Sequence, residues 1–174
     1  TIGQLNEFLV RVSQVSCVHW YSRAVTNHLE TETPLEQPIP VSALLPVKNG
    51  MKFIFSAKQQ ISNTCRAYDE ILVVDDNSTD GTFRELLRWA AEDSRVRVLS
   101  NAGQGLVSAL NLGVAESTNS WVARFDVDDK YREDRLKQQI TLVNLETVAI
   151  FSDYEIWQPD DTSLGTTPHP AHSN

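Results

Sequence analysis

Asp126, Asp128 and Asp129 place three carboxylates within four residues, directly after the run Trp121–Phe125. That run reads as a short buried strand, so the acids fall at a strand tip. Like charges ~4 to 6 Å apart repel by roughly 1 kcal/mol in water, and several times more in a partly buried cleft. Such a cluster is either fully solvated or neutralised by a cation. Oxygen ligands with no His or Cys beside them suit a hard divalent ion, Mg2+ or Mn2+, which commonly also holds a diphosphate. Two more apolar runs end in specialised residues: Val41–Leu45 in Pro46-Val47-Lys48-Asn49, and Glu70–Val74 in Asp75-Asp76-Asn77.

These tips need a scaffold, and the pattern of the chain supplies one. Strands are expected at Val41–Leu45, Glu70–Val74, Arg95–Leu99, Trp121–Phe125 and Val148–Ser152. Helices are expected between them. The first covers Lys52–Cys65, and the second, capped by Thr79 or Asp80, carries Phe83, Leu86, Leu87 and Ala90 on one face. A third opens after Ser100–Gly105 with Leu106, Ala109, Leu110 and Val114 aligned, and a fourth runs from about Asp134 to Leu145. This alternation predicts an α/β fold with an open, mostly parallel sheet. Ligands of such sheets bind at the C-terminal strand ends, near the switch point. Gly103 and Gly105 allow close backbone approach to a ligand, or simply make the turn.

Ahead of this domain, Leu5, Phe8, Leu9 and Val12 repeat with helical spacing and predict an accessory helix over residues 1–28. Residues 29–40, with Pro34, Pro38 and Pro40, read as an extended linker. The main domain then occupies 41–174.

Composition bounds the partners. Of the 174 residues, 41% are hydrophobic and 22% charged, values of a globular domain. A net charge of −8 argues against nucleic acid, which demands clustered Lys and Arg. Cys17 and Cys65 show no metal-ligand or redox spacing and read as free thiols. No run is long and apolar enough to span a membrane. The expectation is a cytoplasmic chain, at most peripheral to a membrane.

Four stretches in order, VSALLPVKNG, DEILVVDDNSTDGT, NAGQGLVSALNLGVA and ARFDVDDKYREDRLKQQ, resemble the family 2 glycosyltransferases over residues 41 to about 157. The resemblance implies the GT-A fold and a nucleotide-sugar donor, with Mn2+ or Mg2+ as cofactor. Asp76 would accept the N3–H of uracil, favouring a UDP- or dTDP-sugar, with Asp75 supporting it or the ribose. Pro46, Val47, Asn49, Gly103, Gly105 and Asn111 would line the nucleotide. Asp126 and Asp128 would serve ribose and metal, with Asp129 as a ligand or directly behind one. Arg124 and Arg135 would hold the diphosphate or form structural ion pairs. Lys48 departs from the family, standing where an aromatic residue is common. The reaction implied is inverting transfer to a saccharide, lipid-linked or protein acceptor, assisted by an Asp or Glu base. No residue matches that base; Asp153, Glu155, Asp160 and Asp161 are the nearest substitutes. The chain is expected to stop before the base, leaving apolar surface near the fifth strand for self-association.

Two other readings compete. One is a nucleotide-binding incomplete domain without turnover. The other is a response-regulator receiver, which LVVDDNSTDGTFRELL also resembles. A receiver needs a Lys after a later strand, and neither Lys nor Arg occurs from Gln138 onward.

Overall fold

The computed structural model describes residues 8–11, 38–67, 69–144, 146–152, 154–157 and 163–167. Among them, strands β1 (Phe8–Arg11), β2 (Val41–Val47), β3 (Glu70–Asp75), β4 (Val96–Ser100), β5 (Trp121–Arg124) and β6 (Ala149–Phe151) build one sheet, in the order β4-β3-β2-β5-β1-β6. The four strands β4, β3, β2 and β5 are mutually parallel. Strand β1 runs antiparallel to both β5 and β6. The expected α/β architecture is therefore present, and each expected main-domain strand is found within a few residues of its place.

Helices α1 (Ile54–Thr64), α2 (Thr82–Glu92), α3 (Leu106–Glu116) and α4 (Arg135–Ile140) connect the strands. Every residue of β2 and β3 is buried, as in a sheet covered on both faces. Alternate side chains serve two cores. Val41, Ala43, Leu45, Ile71 and Val73 pack with Ile54, Ile61, Leu86, Trp89 and Leu136. Leu44, Leu72, Val74 and Val122 pack with Ala109 and Leu110 of α3 on the other side. Each large aliphatic or aromatic group so buried stabilises the fold by roughly 1.5–3 kcal/mol. Helix α3 sits close to the sheet because Gly113 has no side chain: a Cβ there would lie 2.1 Å from Leu44 Cδ1.

The winding explains the position of the site. The chain steps outward from β2 through β3 to β4, then returns through α3 to place β5 on the other side of β2. The loops after β2, β3 and β5 lead to α1, α2 and α4 in the first core, whereas the loop after β4 leads to α3 on the opposite face, so the strand tips lie where the two helix layers part.

Three expectations need correction. Residues 8–11 form a strand, not part of a helix, because β5 and β6 offer two strand edges that local spacing does not reveal. The rest of the expected 1–28 helix, and residues 29–37 of the linker, lie outside the described residues. Helix α4 ends at Ile140 rather than Leu145. Leu142 N donates to Gln139 O at 3.1 Å and Asn144 N to Thr147 Oγ1 at 2.9 Å, turn bonds that replace the helical ladder. Finally, β7 (Tyr154–Trp157) and β8 (Ser163–Thr167) form an antiparallel pair that the sequence reading did not anticipate.

Candidate functional site at the strand tips

Val47 at the end of β2 pairs with Asp75 at the end of β3, so the two polar tips emerge side by side. Their loops are stitched together. Asn49 N donates to Ser78 Oγ at 2.9 Å, and Thr79 N donates to Asn49 Oδ1 at 2.8 Å. Asp80 accepts the N–H groups of Met51 at 3.1 Å and of Thr82 at 3.0 Å just ahead of α2, whose N-cap is Gly81 rather than the expected Thr79 or Asp80. The third tip joins at Gly50, where an added Cβ would lie 2.6 Å from Val47 Cγ2 and 3.1 Å from Val127 Cγ2.

Asp76 is held more firmly than a surface acid. Its Oδ1 accepts from Asn101 Nδ2 at 2.7 Å and from the Gly105 N–H at 3.0 Å, and its Oδ2 from Lys48 Nζ at 3.1 Å. Desolvation works to raise its pKa, but these donors outweigh it and hold the carboxyl below its ordinary value. Asp75 is equally buried and differently served. Its Oδ2 accepts from Ser78 N at 3.1 Å, while Oδ1 has no partner among the described residues. A buried acceptor left unpaired is costly, and a ligand hydroxyl or N–H would satisfy it.

At the acidic tip, Arg124, only 3% exposed, reaches Asp126 Oδ1 with Nη2 at 2.8 Å. The Asp126 carboxyl is raised, by desolvation first, against the pull of Arg124 and with the repulsion of Asp128 added. Asp129 keeps an exposed face, yet enough protein surrounds its carboxyl that desolvation, then repulsion from Asp126 and Asp128, pushes it up to about 6. Tyr131 supports the turn: its hydroxyl accepts the Asp126 N–H and donates to Asp126 O at 3.0 Å. The Tyr131 ring meets Phe125 edge-on at 4.7 Å, and the Arg135 guanidinium lies 4.6 Å from the Phe125 ring centre. Arg135 Nη2 also donates to Arg124 O at 2.9 Å, so Arg135 braces the turn from behind.

The oxygen donors match a hard cation, and burial, more than mutual repulsion, is what raises the Asp126 and Asp129 carboxyls. Among the described residues no three His, Cys, Asp or Glu side chains converge as a complete ligand set. One or two of the carboxylates could contribute to an ion's shell only where water or a ligand phosphate supplied the rest.

The remaining expected residues divide. Pro46, Val47, Asn49, Asp75, Asp76, Gly103 and Gly105 gather at the tips of β2 and β3, with a Cβ on Gly103 falling 3.3 Å from Asn77 Cβ. Asn111, exposed on α3, lines a depression with Asn101, Ala102, Gln104 and Ser108, next to the Gly103–Gly105 loop that bonds Asp76. Glu155 is on β7 and accepts a hydrogen bond from Ser163 of β8, within the hairpin. Asp153, Asp160 and Asp161 lie outside the described residues. Sequence reading missed Asn101, which is 6% exposed and links Asp76 to Ser108 through its two amide ends. Its place beside two glycines at a strand end was the available signal.

Comparison with known proteins follows this geometry. A family model described as Glycosyl transferase family 2 matches residues 42–169. A relative in Bacillus subtilis (strain 168), "Putative teichuronic acid biosynthesis glycosyltransferase TuaG", is 28% identical over 135 residues, covering 76% of this chain and 54% of that protein. In Escherichia coli, "UDP-Glc:alpha-D-GlcNAc-diphosphoundecaprenol beta-1,3-glucosyltransferase WfgD" is 28% identical over 118 residues, covering 67% of this chain and 46% of the relative. Among solved structures, the mannosyltransferase PcManGT from Pyrobaculum calidifontis, in complex with GDP-Man and Mn2+, superposes with a TM-score of 0.54 at 25% identity. That match covers 60% of this chain and 32% of the other. The chain thus spans about half or less of the length of these proteins. Because one family model accounts for most of its residues, in the order of the strands that carry the acidic tips, the chain belongs to glycosyl transferase family 2.

Proposed function

We propose that the strand-tip crevice binds the nucleoside diphosphate sugar donor of a glycosyltransferase. The observation that carries this reading is the meeting of three tips. Lys48 and Asp76 share an ion pair, and Val127 of the acidic turn packs at Gly50 beside Val47. Asp76 reads the N–H of the base, and Asp75 Oδ1 takes a hydroxyl of the ribose or a second base donor. Asp126 and Asp128 hold a divalent cation, with Asp129 next to them. When bound, that cation neutralises the diphosphate and stabilises charge developing on it as a leaving group. Arg124 orients Asp126, and Tyr131 and Arg135 keep the turn from collapsing toward β5.

The relatives' printed names support the reading: the Escherichia coli protein is named for UDP-Glc, and the Pyrobaculum structure holds GDP-Man and Mn2+. In inverting transfer, an acceptor hydroxyl attacks opposite the departing nucleotide, aided by a carboxylate base. The described residues furnish the donor half of that reaction.

Thermal-shift measurements with UDP, GDP, CDP and ADP, each with Mn2+ and with EDTA, test the proposal. The expected result is a larger shift with Mn2+ for at least one nucleotide, lost on Asp128→Asn. Equal shifts under both conditions, or none with any nucleotide, would contradict it.

A further inference from the structure

We propose that Lys48 is a base-selecting residue: with Asp76 it presents a donor and an acceptor side by side, fitted to an imide N–H next to a carbonyl. Uracil, thymine and guanine carry that edge, whereas cytosine and adenine do not. The inference rests on the donor-site reading above and adds to it the residue that narrows the choice of base.

The geometry leaves few other uses for the lysine. Asp76 Oδ1 is filled by Asn101 and the Gly105 N–H. Its Oδ2 accepts Lys48 Nζ at 3.1 Å and, with two lone pairs, can accept one further donor. An ammonium has three N–H groups, and Lys48 uses one of them among the described residues. A half-exposed lysine on a surface acid is ordinarily an interaction of little consequence. Here the lysine side chain is 53% exposed while the carboxylate is 5% exposed and already doubly bonded, so its free N–H groups face the open side of the pair.

The backbone on both sides of the pair is fixed. Lys48 follows directly on β2, and its neighbour Asn49 is bonded to Ser78 and Thr79 of the opposite loop. Asp76 N donates to Val47 O at 2.8 Å, fixing the carboxylate's own backbone. An incoming imide N–H meets Oδ2, and the carbonyl beside it meets Lys48. Cytosine would present a ring nitrogen acceptor to Asp76 and would have to slide along the pair to avoid repulsion. The slide brings its N4–H and N3 to the pair but shifts the ring by one position, out of the register that the ribose and diphosphate contacts would set.

Binding of UDP, GDP, CDP and ADP, with Mn2+ present throughout, is measured for the unmodified chain, Lys48→Met and Lys48→Gln. Methionine keeps the stem and removes charge and donors; glutamine keeps a donor without the charge. UDP or GDP is expected to bind the unmodified chain best. Lys48→Met should weaken that nucleotide by about tenfold to a hundredfold, the loss of one charge-assisted hydrogen bond. CDP binding should change little, so the selectivity ratio collapses, and Lys48→Gln should restore part of it. Equal weakening of all four nucleotides would assign Lys48 to the phosphates and overturn base selection. An unchanged ratio in a variant that still binds would overturn it too, while leaving the donor site standing. Failure of the unmodified chain to bind any of the four would remove both readings together.

Discussion

Asn101 Nδ2 lies 2.7 Å from Asp76 Oδ1, a buried amide at the end of β4 clamping the carboxylate at the end of β3. The same amide donates to Gly105 O at 3.2 Å and accepts from Ser108 Oγ at 2.8 Å, so one side chain joins β3, the loop and α3. Asn101→Ala should free Asp76 to rotate and weaken nucleotide binding by about tenfold, roughly one hydrogen bond to a charged group. Asn101→Asp, which sets carboxylate against carboxylate, should be worse. Calorimetric titration on folded variants checks both; equal affinity in all three proteins would show that Asp76 needs no clamp.

Gly113 provides a test of the scaffold alone. A Cβ at this position would fall 2.1 Å from Leu44 Cδ1 and 2.9 Å from Cδ2, inside the core under α3. Gly113→Ala gains helix propensity, but overpacking of this kind costs typically 1–3 kcal/mol. Urea unfolding should show a net loss of stability. In a double-mutant cycle, Gly113→Ala with Leu44→Ala should cost less than the sum of the two single changes, since the alanine methyl then has room. A single variant as stable as the original would show that α3 can shift at little cost.

The acidic turn predicts a pH dependence whose sign depends on metal. The Asp129 carboxyl is pushed up to about 6, well above the ordinary carboxylate range, so between the two values the folded chain binds the extra proton. Without metal, stability from this group therefore increases as pH falls from 7 toward 5. Asp76, Asp80, Asp93 and Asp134, all lowered, lose their contributions only below about 4, outside that window. With Mn2+ the slope should reverse, because Asp126 and Asp128 must be deprotonated to hold the ion and the ion's charge keeps the neighbouring Asp129 ionised. Melting temperatures at pH 5 and 7, in EDTA and in Mn2+, make the comparison, and Asp129→Asn should reduce the EDTA difference to the part that Asp126, also raised, contributes. The same pH response in Asp129→Asn as in the original would exclude Asp129 as its source.

What could be read in advance follows from how local each signal is. EILVV and VSALL are buried on both faces, and continuous apolar runs carry that message within a few residues. The acidic tips were legible because the acids adjoin the strands they cap. By contrast FLVR became a strand only through β5 and β6, whose paired residues lie more than a hundred positions away. The partners of Asp76 were hidden for a similar reason: Lys48 and Asn101 come from 28 and 25 residues away in sequence. Arg124 and Arg135 each had two plausible uses; Arg124 pairs with Asp126, and Arg135 lies against the Phe125 and Tyr131 rings, a placement that neither use named.

The central claim is that donor diphosphate and cation sit between Asp76 and the Asp126–Asp129 turn. Paramagnetic broadening of backbone amide signals by Mn2+, recorded with and without UDP or GDP, measures this directly. The account predicts selective broadening of residues 126–129 that strengthens when nucleotide is added, with shifts at Lys48, Asn49, Asp76 and Asn77. Broadening centred elsewhere, or an unchanged pattern in Asp128→Asn, would contradict it.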